Sequence, residues 1–427
     1  MEPLADKDRR YIWHPFTQMK EWMMEEPVVI ESGRGAILRD TDGREYIDAN
    51  SSIWTNLHGH RHPRITQAIK DQLDCIAHSS FLGLSNEPAI RLAERLVELA
   101  PPGLTRVFYS DDGSTAMEVA IKMALQYWQH RQRPQRTRFV AFTDAYHGDT
   151  LGAVSVGGID LFHAAFKPLL FDVIRVGELQ AVAKLLKEQG ETIAAVVIEP
   201  LVQGAAGMRL WPRGWLAELR RLCTDHGLLL IADEVMTGFG RTGTMFACEQ
   251  ESVTPDLMAV AKGLTGGYLP LAATLTTAEV FDAFLGEYSE FKTFFHGHSY
   301  TGNQLGCAAA LANLQIFEDE QTLEKLGSTR VRFRAGLEAL RALPHVGDVR
   351  HIGMIGAVEL FQDVTTKKPF PLADKIGIKV CGEMRRRGVL TRPIGNTIVL
   401  MPPYCISDKQ LDRVLSVLAE SIHEVMT

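Results

Sequence analysis

The chain lacks a paired-cysteine motif, a long apolar run and an excess of basic charge, and each absence narrows what it can do. Its six cysteines, Cys75, Cys223, Cys248, Cys307, Cys381 and Cys405, are scattered with no C-x-x-C spacing. That suits reduced thiols in a cytoplasmic protein rather than a disulfide framework or zinc site. No apolar run approaches the roughly 20 residues that span a bilayer, so no membrane role is expected. The opening stretch MEPLADKDRR is charged and lacks an apolar core, so no secretory signal is expected. A net charge of −7 and a pI near 6.1 argue against a nucleic-acid footprint. Low-complexity tracts and internal repeats are also missing. At 427 residues, the chain can bury a large core and divide into more than one domain.

What is present centres on residues 227–263. Leu228 to Ala232 is a short, continuously apolar run that suits a strand buried on both faces of a parallel sheet. Asp233 and Glu234 follow it, then a loop with Gly238, Gly240, Arg241 and Gly243. A second apolar run, Leu257 to Ala261, ends at Lys262 and Gly263. In open α/β sheets, ligands sit outside the carboxyl ends of the strands, so Asp233 and Lys262 would share one crevice. A lysine beside apolar walls sheds its proton and attacks carbonyl carbon as a free amine. An aspartate there can hold a proton on a cofactor nitrogen. Pyridoxal 5′-phosphate needs that pair. Either residue alone reads more simply as a turn cap or a solvated lysine; the surroundings decide.

Along the chain, residues 1–26 are polar and aromatic, and Trp13-His14-Pro15-Phe16 suggests a segment packed on something. Runs at 28–30, 36–39 and 45–48 read as an antiparallel meander with turns at Ser32–Gly35 and Asp40–Gly43. His58, His60 and His62 alternate, which makes a metal site conceivable. Gly59 and Pro63 break the strand, however, and a structured loop with satisfied histidines is the simpler reading. Helical spacing covers 64–77 and 86–99. The strand 106–109 enters a helix through Ser110-Asp111-Asp112-Gly113-Ser114, an anion-binding helix start in which Ser114 is otherwise an ordinary cap. The basic run 131–138 reads as a solvated loop. Tyr146 follows the strand 139–142 and could stack on a flat cofactor. Glu199 ends the strand 194–198. Strands alternating with helices in this way predict an α/β domain with a mostly parallel sheet. Beyond about residue 320 the pattern becomes α+β, with Arg392 at a strand end where a guanidinium could grip a carboxylate.

Together these residues resemble the class III aminotransferases of PLP fold type I over essentially the whole chain. The marks are Gly113-Ser114, Tyr146-His147-Gly148, Ile198-Glu199-Pro200, the block from Ile231 to Gly243, and Lys262-Gly263. Trp13 to Thr17, Ser51 to Trp54, Met123 to Trp128, Arg392-Pro393 and Met401 to Tyr404 are similar to the branch that aminates 8-amino-7-oxononanoate in biotin biosynthesis. The resemblance implies a large PLP-binding domain over 56–320 with a mostly parallel sheet. It also implies a smaller α+β domain over 321–427, and an N-terminal segment, 1–55, packed with it. Lys262 would carry the cofactor and shuttle the proton, Asp233 would pair with the ring nitrogen, and Tyr146 would stack on the ring. Gly113 and Ser114 would hold the phosphate. The enzyme would be a homodimer with interface sites, and Ser299 would reach the partner's phosphate from a position where threonine is usual. Arg392 would bind the keto acid's carboxylate, with Trp54, Phe16, Ile53, Arg241 and Gly297 around the substrates.

Three positions bear on the amino donor. The S-adenosylmethionine-using form carries tyrosine at the position of Phe16, tryptophan at Ile53 and tyrosine at Val399. Each residue here is less polar or smaller, and Phe16, Ile53 and the loop from His58 to His62 resemble the form that uses L-lysine, which is slightly favoured. Other readings stay open: another class III transaminase acting on an ω-amino acid or diamine, a racemase, aminomutase or decarboxylase on the same fold, or a binding module without chemistry. Retention of Lys262 with Asp233 argues against the last.

Overall fold

Residues 2–427 are described in the computed structural model. Seven strands form the central sheet, in the order 104–110, 272–277, 257–260, 229–233, 193–198, 138–142 and 173–176. The last five run parallel. Strand Ala272–Thr277 is antiparallel to both of its neighbours. Strands Ile193–Ile198 and Leu229–Asp233 are buried throughout, which is why they read as unbroken apolar runs rather than alternating ones.

The helix Gly113–His130 packs across this sheet and buries Met117, Ala120, Ile121, Ala124 and Trp128. It starts on a capping box in which Asp112 accepts the Thr115 N–H while Thr115 Oγ1 answers the Asp112 N–H. The helix is thereby pinned with its first turn at the carboxyl end of strand Leu104–Ser110.

A second sheet joins Val346–Ile352, Ile355–Asp363, Thr397–Leu400 and Pro393–Ile394 in that order, antiparallel. Helices Ile376–Arg386 and Asp408–Met426 pack with each other beside it. A third sheet is the N-terminal meander, Ile30–Arg34, Ile37–Asp40 and Glu45–Asp48, extended by Val389–Leu390 pairing parallel to Glu45–Asp48. The two ends of the chain thus share hydrogen bonds.

Two expectations need correcting here. The basic run 131–138 is not simply solvated. Arg136 is buried, donates to the Gly227 carbonyl at 3.0 Å and lies on the Trp128 ring. Nor does Trp13 pack within the chain; it is 87% exposed. The N-terminal segment is braced internally by Asp8, which accepts from the Trp22 indole N–H and from His14, and is tied to the rest of the chain where Lys375 donates to Glu21 and Phe16 meets Phe162. No helix among the described residues is long and apolar enough to cross a membrane.

Candidate active site

At the carboxyl ends of the parallel strands lies a cavity of about 750 Å³, lined by Trp54, Gly113, Ser114, Tyr146, His147, Glu199, Asp233 and Lys262, among others. They come from six separate stretches of the chain, and the sheet brings all but that of Trp54 to one edge.

Lys262 follows strand Leu257–Val260 and takes a left-handed backbone, φ +45°. A non-glycine residue holds that conformation only when its surroundings impose it, and such strain gathers at functional sites. Its amine lies 4.9 Å from the centre of the Trp54 ring. Enclosure in the protein lowers the pKa of the amine, against the opposing charges of Asp233 and Glu199. The net effect favours the neutral amine a nucleophile needs.

Asp233 ends the neighbouring strand and is buried. One carboxylate oxygen accepts the Val235 N–H at 3.0 Å, and the other accepts from His147 Nδ1 at 2.7 Å. Burial would lower the pKa of His147, but its hydrogen bond to Asp233 and the charges of Asp233 and Glu199 outweigh it, and the net shift is upward. His147 Nε2 is buried with no partner among the described residues. Glu199 accepts the Gly204 N–H at 2.8 Å and the Tyr146 N–H at 3.2 Å. Burial pushes its carboxyl up to about 7.

Two glycines bring the walls close. A Cβ on Gly113 would meet Val235 Cγ1 at 2.5 Å, and one on Gly148, where φ is +119°, would collide with Ser114. Ser114 Oγ accepts the Thr150 N–H at 2.9 Å, which draws the loop after Tyr146 onto the helix start. The Gly113 and Ser114 N–H groups belong to the first helical turn, which has no intrahelical partner for them, and they sit in the cavity wall.

Of the residues singled out in sequence, Lys262, Asp233, Tyr146, Gly113, Ser114 and Trp54 meet in this cavity. Arg241 does not, which corrects its placement beside the substrate. It is 1% exposed, and its guanidinium donates to the Pro402 carbonyl at 2.9 Å and the Asn56 carbonyl at 3.0 Å, against the Tyr404 ring. A charge enclosed in this way is consumed by backbone. Phe16, Ile53, Gly297, Ser299 and Arg392 are exposed and do not line the cavity within one chain. Phe16 packs edge-on against Phe162, which in turn packs against Tyr146. Val399 is buried in the apolar cluster on which Trp54 packs. Arg392 makes no hydrogen bond or ion pair with other described residues.

Sequence reading missed His147 as a site residue. Its place between Tyr146 and Gly148 was visible, but the turn that aims it at Asp233 was not. Of the alternating histidines, His60 meets Asp48 at 3.0 Å, whereas buried His58 leaves Nε2 unpaired.

The chain matches the profile described as Aminotransferase class-III over residues 18–422. It is 52% identical to the adenosylmethionine-8-amino-7-oxononanoate aminotransferase of Geobacter sulfurreducens, over 99% of this chain and 98% of that protein. A protein of the same description from Nitratidesulfovibrio vulgaris is 53% identical over 96% of this chain and 80% of its own length. The crystal structure of the Methanocaldococcus jannaschii protein of that description superposes with a TM-score of 0.97 at 46% identity, covering 99% of this chain and 98% of that one.

Proposed function

Since the chain belongs to the class III aminotransferases, we propose that it transfers an amino group to 8-amino-7-oxononanoate, giving 7,8-diaminononanoate for biotin synthesis. That it is an aminotransferase dependent on pyridoxal 5′-phosphate follows from the family. The acceptor is the finer step. It is supported by the names of relatives at 52–53% identity and by the unspent guanidinium of Arg392, which suits a carboxylate.

The residues fit the cofactor. The cradle between Gly113 and Gly148 has no room for a Cβ, and the orphaned His147 Nε2 shows a polar wall. When bound, pyridoxal phosphate supplies an electron sink for the pair released at the substrate's α-carbon. In our reading, the first-turn N–H groups of Gly113 and Ser114 with the Ser114 hydroxyl hold its phosphate. Tyr146 packs on its ring. Asp233, fixed by His147, holds the proton on the ring nitrogen. Lys262 supplies the neutral amine that carries the cofactor, and its amine then moves the substrate's α-proton. Apolar walls around Trp54 exclude water.

For the donor we favour L-lysine. Phe16, Ile53 and Val399 offer no hydroxyl or indole N–H to a nucleoside; Phe16 is linked to Tyr146 through Phe162, and Val399 lies in the cluster on which Trp54 packs. The relatives' names point instead to S-adenosylmethionine. We further propose the division into 1–55, 56–320 and 321–427, a cytoplasmic location and a homodimer. The exposed Leu82, Phe295 and Tyr300 support the homodimer.

The test is a half-reaction without acceptor, in which the cofactor's absorbance is followed with L-lysine or S-adenosylmethionine. Conversion by lysine alone supports our donor; conversion by S-adenosylmethionine alone overturns it. Failure of either aminated enzyme to aminate 8-amino-7-oxononanoate overturns the acceptor and leaves another class III transaminase.

A further inference from the structure

We propose that Asp48 and His60 are positioning residues that set the Trp54 indole in the active site by clamping a left-handed turn. The inference rests on reading the cavity beside Lys262 as the substrate site. Residues Ser51, Ser52, Ile53 and Trp54 have φ values of +47°, +47°, +66° and +68°, a full turn of left-handed helix with no glycine in it. The Trp54 N–H donates to the Asn50 carbonyl and the Thr55 N–H to the Ser51 carbonyl, both at 2.9 Å. L-residues visit this conformation singly and do not stay in it without help. The turn therefore needs an outside anchor.

Two anchors hold it: the Ser51 hydroxyl donates to the Met401 carbonyl at 2.7 Å, and Asp48 holds the next residue. Asp48 is 2% exposed. One oxygen accepts the Ser52 N–H at 3.0 Å and the Asn50 N–H at 3.3 Å; the other accepts the Ser52 hydroxyl at 2.8 Å and His60 Nε2 at 3.0 Å. Four donors occupy the carboxylate, which leaves it free for no ligand. His60 is fixed in turn by paired backbone bonds with Gly35. On the far side of the turn, the Trp54 indole N–H donates to Asn50 Oδ1 at 2.9 Å, which sets the ring's rotation. Its face then lies 4.9 Å from the Lys262 amine. Neither Asp48 nor His60 lines the cavity, so any effect on turnover must pass through the turn.

The experiment is a double-mutant cycle on the holoenzyme between Trp54→Ala and either Asp48→Ala or His60→Ala, with His60→Gln as the conservative variant. We expect Asp48→Ala and His60→Ala each to lower kcat/KM per bound cofactor about ten- to hundredfold, the scale of a misplaced site group. In the Trp54→Ala background, the same changes are expected to cost less than about twofold. His60→Gln, whose amide can donate to the same carboxylate oxygen, is expected to recover most of the loss. The visible circular dichroism of bound cofactor is expected to shift alike in Asp48→Ala, His60→Ala and Trp54→Ala. Additive losses, no rescue by His60→Gln, or a loss accounted for entirely by less folded holoenzyme would overturn the proposal. If Asp48→Ala does not fold, the His60 cycle decides alone. The dichroism needs no substrate, so it still decides the positioning role if 8-amino-7-oxononanoate proves to be the wrong acceptor.

Discussion

Replacing Asp233 with asparagine keeps the side chain's shape and removes its charge. The buried Asp233 carboxylate binds the Val235 N–H through one oxygen and His147 Nδ1 through the other. An asparagine carbonyl can keep the Val235 contact. Its NH₂ then faces His147 Nδ1, which must give up its proton and become an acceptor. The substitution therefore removes the negative charge and also turns the histidine to its other neutral tautomer. A carboxylate beside a ring nitrogen raises that nitrogen's pKa by roughly 1–3 units, or about 1.4–4 kcal/mol. Expressed fully in the barrier, that is about a ten- to thousandfold loss in kcat. The assay is single-turnover transamination with cofactor content measured in the same sample, together with a pH titration of the bound cofactor's absorbance. The expected result is a fold and cofactor content close to wild type, with kcat down by at least tenfold and the ring-nitrogen titration moved to lower pH. A kcat within about twofold of wild type, with the titration unmoved, would refute the role of Asp233.

Other consequences follow from the same geometry. Gly113→Ala places a Cβ 2.5 Å from Val235 Cγ1, and is expected to weaken cofactor binding at least tenfold by equilibrium dialysis while the apoprotein stays folded. Arg392→Ala is expected to raise KM for the keto acid about ten- to hundredfold with kcat changed less, since a charge-assisted bidentate contact is lost; an unchanged KM would place the carboxylate elsewhere. Arg241→Ala removes a buried guanidinium and leaves the Asn56 and Pro402 carbonyls unmet, and is expected to cost about 2–4 kcal/mol by denaturant unfolding. Glu199 has its carboxyl raised to about 7, so the folded apoprotein binds this proton more tightly than the unfolded chain does. That stability is present below the unfolded pKa near 4.5 and is lost as pH rises through about 7. Compared with Glu199→Gln, the wild-type apoprotein is expected to gain up to about 3 kcal/mol between pH 8 and pH 5; parallel pH–stability curves would refute it.

Much of the site was legible because the buried parallel strands carry no polar residue until they end. Ile193–Ile198 and Leu229–Asp233 stop at Glu199 and Asp233, so the ends of the apolar runs marked residues that line the cavity. The meander was legible, and its third strand coincides with the run read at 45–48; the second is shifted by one residue, and the first, Ile30–Arg34, takes up most of the turn expected at Ser32–Gly35. Strand Ala272–Thr277 was not read, because its AATLTT pattern reports packing between two antiparallel neighbours rather than its own periodicity. The left-handed turn at Ser51–Trp54 was invisible because Ser, Ser, Ile and Trp have no preference for it; the acceptors that hold it come from Asp48, Asn50 and the Met401 carbonyl, partners that no local pattern announces. Arg241 misled for the opposite reason. An arginine in a glycine-rich loop after a catalytic strand looks available, and the two carbonyls that consume it come from residues 56 and 402, far away in sequence.

The charge state of Lys262 is set by a balance that no single residue carries. Enclosure pushes its pKa down, while Asp233 and then Glu199 push it back up. Glu199 is itself near half-protonated at about pH 7, so its opposition is partial there and strengthens as pH rises. Asp233 is shared with His147, whose raised pKa means that it returns positive charge to the same pocket. The two carboxylates are therefore weak counter-ions for the amine, one by its proton and one by its histidine. That is why burial prevails at Lys262 although two acids line the cavity with it. The same logic makes His147 more than a prop for Asp233: its hydrogen bond draws on the carboxylate that opposes the fall of the lysine's pKa.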